Sequence, residues 1–186
     1  DFAAWCTYKY LNSGPGSLAG LFVHQKHSKN KDLPRFAGWW NHNKETRFNM
    51  RQPFDVMDGA EGWQLSNPPI LSMAAIKASL DLFDEVGMDA LREKSEKLTG
   101  YFEFLIREID SKDIKIITPS NPKERGCQIS IQVQNSDKSL HTKLTEQYVI
   151  TDWREPNVLR CAPVPMYTSF EDVYRMVSIL KGFLLV

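Results

Sequence analysis

Near its start the chain reads WCTYKYLNSGPG, which sets one amine, Lys9, between two phenols, Tyr8 and Tyr10, and stops the aromatic run at a glycine–proline turn. A lysine held among apolar groups loses hydration, so its pKa falls and the neutral amine becomes a usable nucleophile. The same residue on an edge strand has a plainer use: it snorkels its ammonium into water and discourages edge pairing. Metal chemistry has weaker footing. Cys6, Cys127 and Cys161 are far apart, and His24, His27, His42 and His141 do not combine with them in a ligand spacing. His24 and His27 suit one helical face, but no third ligand is nearby. Three scattered cysteines without a disulfide framework fit a reducing compartment, the cytoplasm.

Phe2 to Tyr10 read as a strand carrying Lys9, ended by NSGPGS, where Gly14 and Gly16 serve backbone geometry. LAGLFVHQ is a second short strand. The stretch from Lys26 to Pro69 has little periodicity, holds the Trp39–Trp40 pair and a further tryptophan, and is long for a structureless loop; such loops are usually functional. From Ile70 the pattern turns helical, with Ser66 or Asn67 as cap and Pro68 and Pro69 in the first turn. Apolar residues recur from Ile70 to Phe83, and Gly87 interrupts. A second helix carries Leu91, Ser95, Leu98, Phe102, Leu105 and Ile109, and both stripes read as core.

Next come a short strand, IKIITP, and GCQISIQVQ, whose alternation puts Cys127, Ile129, Ile131 and Val133 on one face. A helix near Leu140–Tyr148 leads to two further strands, VITDWR and VLRCAPV. The last segment opens on the Ser169-x-x-Asp172 capping signature and runs helically to the end. The fold class is α/β with an α+β C-terminal domain, helices covering one face of a small antiparallel or mixed sheet. The domain reading is 1–69 for the end of one domain with its active-site loops, and 70–186 for a small α+β domain with connecting helices. A chain that starts without methionine directly in a strand, and stops inside a helix, reads as an excerpt of something longer.

Charge narrows the partners. With 23 basic and 23 acidic residues the formal net charge is zero. That disfavours a nucleic-acid backbone or an anionic membrane surface, and no apolar run is long enough to span a bilayer.

Three islands, WCTYKYLNSGPG, GWWNH…TRF…LSNPPI and LRCAPVPMYTSFEDV, taken in this order resemble kynureninase, a pyridoxal-phosphate enzyme of the aspartate-aminotransferase fold. The resemblance runs along essentially the whole chain and implies the C-terminal part of that enzyme. It implies that Lys9 carries pyridoxal 5'-phosphate as a Schiff base and that Tyr8 binds the cofactor phosphate and relays a proton. Trp39 and Asn67 would reach the phosphate of a partner subunit in a homodimer with shared sites. Arg160 would grip the substrate α-carboxylate, and Ser66 and His42 would border the substrate ring. These roles suit the groups: arginine offers a planar fork to a carboxylate, and tyrosine and indole offer single donors to phosphate. Plainer readings stand beside them: Trp39 as a packing aromatic, Asn67 as a helix cap, Arg160 in a structural ion pair.

The implied reaction is hydrolysis of L-kynurenine or 3-hydroxykynurenine to an anthranilate and alanine, within tryptophan catabolism and NAD biosynthesis. The resemblance lacks the family's N-terminal half, so this chain alone is expected to be inactive. Asp1 is too close to Lys9 along the chain to pair with the cofactor's pyridine nitrogen and takes no role. Two alternatives remain open: another pyridoxal-phosphate enzyme of the desulfurase or aminotransferase type, or a non-catalytic α+β interaction module with a vestigial lysine.

Overall fold

The structure, a computed structural model, describes residues 1–49 and 53–184. Part of the long loop (50–52) and the last two residues of the predicted C-terminal helix lie outside the described residues. The chain forms two compact units, Asp1–Glu85 and Val86–Val186, and the helix that begins at Ile70 goes almost entirely with the first.

In the first unit β1 (Phe2–Cys6) pairs antiparallel with β2 (Ala19–Val23), in a register that sets Trp5 opposite Gly20. The indole lies over that glycine: a Cβ there would sit 2.2 Å from Trp5 Cε2, so no larger residue fits without moving the ring. β1 stops at Cys6, four residues short of the strand that the sequence predicts. Thr7 turns its side chain inward, and the chain then curls through Asn12, at φ 54°, and Gly14 and Gly16, at φ 82° and 79°. A Cβ at either glycine would meet nothing within 4 Å, so backbone conformation, not space, asks for glycine there. A short helix, α1 (Gln25–Ser28), follows, capped by His24 Nδ1, which accepts from Lys26 N at 3.1 Å. The long loop then runs through two turns of 3-10 helix to α2 (Ile70–Val86).

The expected helix is present, but its apolar stripe is not core. Ile70 and Leu71 are 81% and 87% exposed, Met73, Leu80 and Leu82 are also exposed, and among the described residues of α2 only Ser79 is buried. Periodicity reports which face of a helix is apolar, not what covers it. The predicted cap also moves. Pro69 O accepts the first helical bond, from Met73 N at 3.0 Å, which makes Pro69 the cap position and leaves Ser66 and Asn67 upstream of it.

The second unit holds a conventional core. Helix α3 (Met88–Arg107) starts after Gly87, at φ 81°. It is followed by β3 (Ile114–Ile116), β4 (Ile129–Val133), α4 (Lys138–Glu146), β5 (Asp152–Arg154), β6 (Val158–Cys161) and α5 (Phe170–Leu184). The sheet runs β3-β4-β6-β5, with each neighbouring pair antiparallel. The alternation in β4 resolves as expected. Ile129, Ile131 and Val133 turn into the core with Leu159 and Cys161, while Ser130, Gln132 and Arg160 face the other way, half-buried. Leu98, Phe102 and Ile106 of α3 and Val173, Met176, Val177 and Leu180 of α5 cover the apolar face.

α5 opens with the predicted reciprocal cap: Asp172 N donates to Ser169 Oγ at 3.1 Å, and Ser169 N donates to Asp172 Oδ2 at 2.8 Å. The bond from Ser169 N, and after it one that Ser169 Oγ donates to the same oxygen at 2.7 Å, hold the Asp172 carboxyl below its usual range. Among the described residues no helix is long and apolar enough to cross a membrane.

Leu98 is fully buried between the two helices and the sheet. Leu98→Ala is expected to destabilise this unit by about 2–5 kcal/mol, the transfer free energy of the lost groups plus the cavity they leave. Urea unfolding checks it; a loss below about 1 kcal/mol would mean that the site collapses to fill the space.

Candidate active site

Lys9 sits in the bend after β1, not on the strand, and it is exposed. Among the described residues the expected apolar surrounding is therefore absent: its Nζ lies 5.4 Å from the centre of the Tyr8 ring, itself half out in solvent. Buried hydroxyls beneath it hold the bend. Thr7 is 1% exposed; its Oγ1 donates to Leu18 O, and accepts from Ser13 Oγ at 2.8 Å. Asn12 N donates to Lys9 O at 3.0 Å.

Two contacts join this bend to α2: Ser72 Oγ donates to Gly16 O at 3.4 Å, and Ser79 Oγ donates to Leu11 O. Ser66 and Asn67 lie just upstream of α2, separated from it by Pro68 and Pro69, and both are exposed. The Trp39 segment is tied to the same stretch. Trp40 N donates to Leu65 O at 3.3 Å, and Gly38 packs so closely on Leu65 that a Cβ would lie 2.2 Å from its carbonyl oxygen. The structure thus ties the residues on either side of Trp39 to Leu65, the residue before Ser66, and joins α2 to the Lys9 bend. Trp39 is half exposed, with its ring 5.3 Å from that of Phe48. Among the described residues neither its indole N–H nor the Asn67 amide has a hydrogen-bond partner within the chain.

His42 is engaged on both nitrogens. Its Nδ1 accepts from Asp55 N at 3.3 Å, which leaves the proton on Nε2, 3.3 Å from Thr46 Oγ1. Its ring leans on Phe54 at 5.4 Å. What His42 can still offer is a ring face and an edge, not a free acid or base. Asp55, which also bonds Asn43 and Lys31, is held below the usual carboxylate range by those two partners, Asn43 first.

Arg160 belongs to the second unit, on β6 between Ser130 and Asp152 of the neighbouring strands. Its Nη2 bonds Asp152 Oδ2, and Arg154 reaches the same oxygen at 3.0 Å. The ion pair read as its plainer role is present. Its Nε, by contrast, is buried with no partner among the described residues.

Two supports of the site escape a reading by motif. One is Thr7, two residues before Lys9, whose only mark in the sequence is a hydroxyl where the aromatic run would favour an apolar residue. The other is Asn41. It is fully buried, takes Gly38 N at 2.9 Å on its Oδ1, and gives its amide to Phe36 O at 2.8 Å and Gly62 O at 3.3 Å. It holds the Trp39 segment folded, and nothing in its neighbours distinguishes it from a solvated loop asparagine.

Residues 91–180 match the family described as the kynureninase C-terminal domain. The kynureninase of Myxococcus xanthus is 54% identical over 182 residues, which is 98% of this chain and 43% of that protein. The chain therefore spans less than half the length of such relatives. Among solved structures, the cysteine desulfurase CsdA of Escherichia coli superposes on all of the chain and 46% of its own, with TM-score 0.75 at 13% identity. A variant of the enzyme C-DES, with glycine covalently linked to its pyridoxal-phosphate cofactor, covers 88% of the chain and 41% of its own, with TM-score 0.65 at 18% identity. At such identities the structures give the fold alone: an aspartate-aminotransferase-like fold of the kind pyridoxal-phosphate enzymes use. The identity at the level of sequence lies elsewhere, and by it the chain belongs to the kynureninase family, as its C-terminal part.

Proposed function

We propose that the protein of which this chain forms part hydrolyses the Cβ–Cγ bond of L-kynurenine or 3-hydroxykynurenine, releasing an anthranilate and alanine. The observation that carries the reading is the 54% identity to a kynureninase along nearly the whole chain, Lys9 and Arg160 included in the span. A desulfurase or aminotransferase reading has only a shared fold behind it, at 13–22% identity. A non-catalytic module with a vestigial lysine does not account for a bend built to expose that lysine.

The residues present fit an aldehyde-bearing phosphate cofactor. Lys9 has an accessible amine with no ion pair among the described residues, and the Trp39 indole and Asn67 amide have donors to give to phosphate oxygens. Pyridoxal phosphate, when bound, supplies the electron sink for the bond cleavage. Lys9 Nζ would hold the cofactor at its aldehyde and, once free, would move the substrate's α-proton. The Tyr8 hydroxyl donates to the phosphate and relays a proton. Trp39 and Asn67 bind the phosphate of the partner subunit's cofactor, which makes the active form a homodimer. Arg160 holds the α-carboxylate, while Ser66 and the face of His42 border the aryl ring. Cytoplasmic tryptophan breakdown and NAD biosynthesis suit this chemistry and the three free cysteines.

The test is turnover of L-kynurenine by the full-length protein with pyridoxal phosphate, followed by borohydride reduction and peptide mass analysis. Anthranilate release with a reduced pyridoxyl group on Lys9 is the expected result. Sulfur release from cysteine without action on kynurenine would overturn it.

A further inference from the structure

We propose that Thr7 and Ser79 are positioning residues, which fix the backbone from which the Lys9 side chain reaches its cofactor; the inference rests on the role of Lys9 proposed above. A hydroxyl has one hydrogen to give: Thr7 Oγ1 directs it to Leu18 O, with Ser17 Oγ as a second acceptor at 3.2 Å, and accepts from Ser13 Oγ at 2.8 Å. Ser13 N also donates to Thr7 O at 3.3 Å, so residues 7–13 form a bend whose ends are fastened together through both backbone and side chains. A third fastening comes from α2, where Ser79 Oγ bonds Leu11 O.

The distribution of burial argues for positioning. Thr7, Ser13 and Ser79 are buried, whereas Tyr8 and Lys9, which the bend presents, are exposed. The Lys9 side chain takes no part in holding the bend, so the network fixes its Cα and leaves the amine free to move. α2 makes the same point from the other side. Most of its apolar positions lie open, and its one buried residue among those described is the serine that grips the bend. An amine that must release and recapture a cofactor at each turnover needs a fixed origin, since reacting groups must be held to within about 0.5 Å and a displacement of about 1 Å costs on the order of 10²-fold in rate.

Thr7→Val keeps the shape and removes the hydroxyl, Thr7→Ser keeps the hydroxyl, and Ser79→Ala loosens the bend at a second point. In the full-length holoenzyme, Thr7→Val and Ser79→Ala are expected to lower kcat for kynurenine by about 10- to 100-fold, with KM within about threefold. They should also shift the pH midpoint of the bound cofactor's visible band. Thr7→Ser should recover most of the rate and the wild-type midpoint. Should Thr7→Val fail to fold, Ser79→Ala decides. Wild-type kcat and midpoint in Ser79→Ala, or a rate loss that only follows the folded fraction, would overturn the proposal. A wild-type protein that traps no pyridoxyl group on Lys9 would instead remove the role of Lys9 on which it rests.

Discussion

Replacing Lys9 with alanine in the full-length protein is expected to abolish both kynurenine turnover and borohydride trapping of the cofactor, while leaving the fold intact. Removing a positioned proton-transfer group alone costs about 10²–10⁴-fold, and here the same nitrogen also forms the covalent link. Lys9→Arg should do no better, because a guanidinium keeps the charge but does not give up its proton to act as a nucleophile. Stability should barely change. The Lys9 side chain is exposed and its one described contact is with the Tyr8 ring, and substitutions at such surface positions usually fall within about 0.5 kcal/mol. The prediction separates the enzyme from a module with a vestigial lysine. Melting temperature, trapped pyridoxyl and anthranilate release are measured on one preparation. Turnover within tenfold of wild type would move the chemistry to another residue.

Alternation and capping carried the second unit from sequence to structure, because both are local. Every second residue of β4 had to be apolar to face α3 and α5, and Ser169 and Asp172 satisfy each other within one turn. The first unit was legible in its motif and not in its shape. A strand through Lys9 follows from the run of aromatic residues, yet Thr7 ends β1 by turning its hydroxyl to Leu18 O, a bond that joins residues 11 apart. α2 illustrates the other limit. Its stripe from Ile70 to Phe83 is helical as expected but not core, since among the described residues nothing buries Ile70 or Leu71. With 43% of a relative's length in hand, a surface can be apolar for the sake of residues that lie elsewhere in the longer protein.

Arg160 gives the second large effect. Its Nη2 is bonded to Asp152, its Nε is buried without a partner among the described residues, and it carries five donors in one plane. A substrate carboxylate would find donors that Asp152 does not use. Arg160→Ala in the full-length protein is expected to raise the KM for kynurenine by roughly 30-fold to several thousand-fold, corresponding to the 2–5 kcal/mol typical of a lost hydrogen-bonded charge pair. Pyridoxyl trapping on Lys9 should persist. Arg160→Lys should fall between, keeping the charge and losing the fork.

The same substitution has a pH signature. Burial pushes the Asp152 carboxyl up, but the hydrogen bond and charge of Arg160, with those of Arg154, outweigh it and hold the carboxyl below its usual range. A depressed folded-state value means that the pair stabilises the fold above the ordinary carboxylate range, and that this contribution is lost as pH falls through the lower folded value. Without Arg160, Asp152 retains Arg154 alone, so its pKa moves back up and the loss begins at higher pH. Acid unfolding of Arg160→Ala should therefore start at higher pH than that of wild type, an effect kept small by the exposure of both side chains. A normal KM for kynurenine with the acid shift present would leave Arg160 as the partner of Asp152 and nothing more.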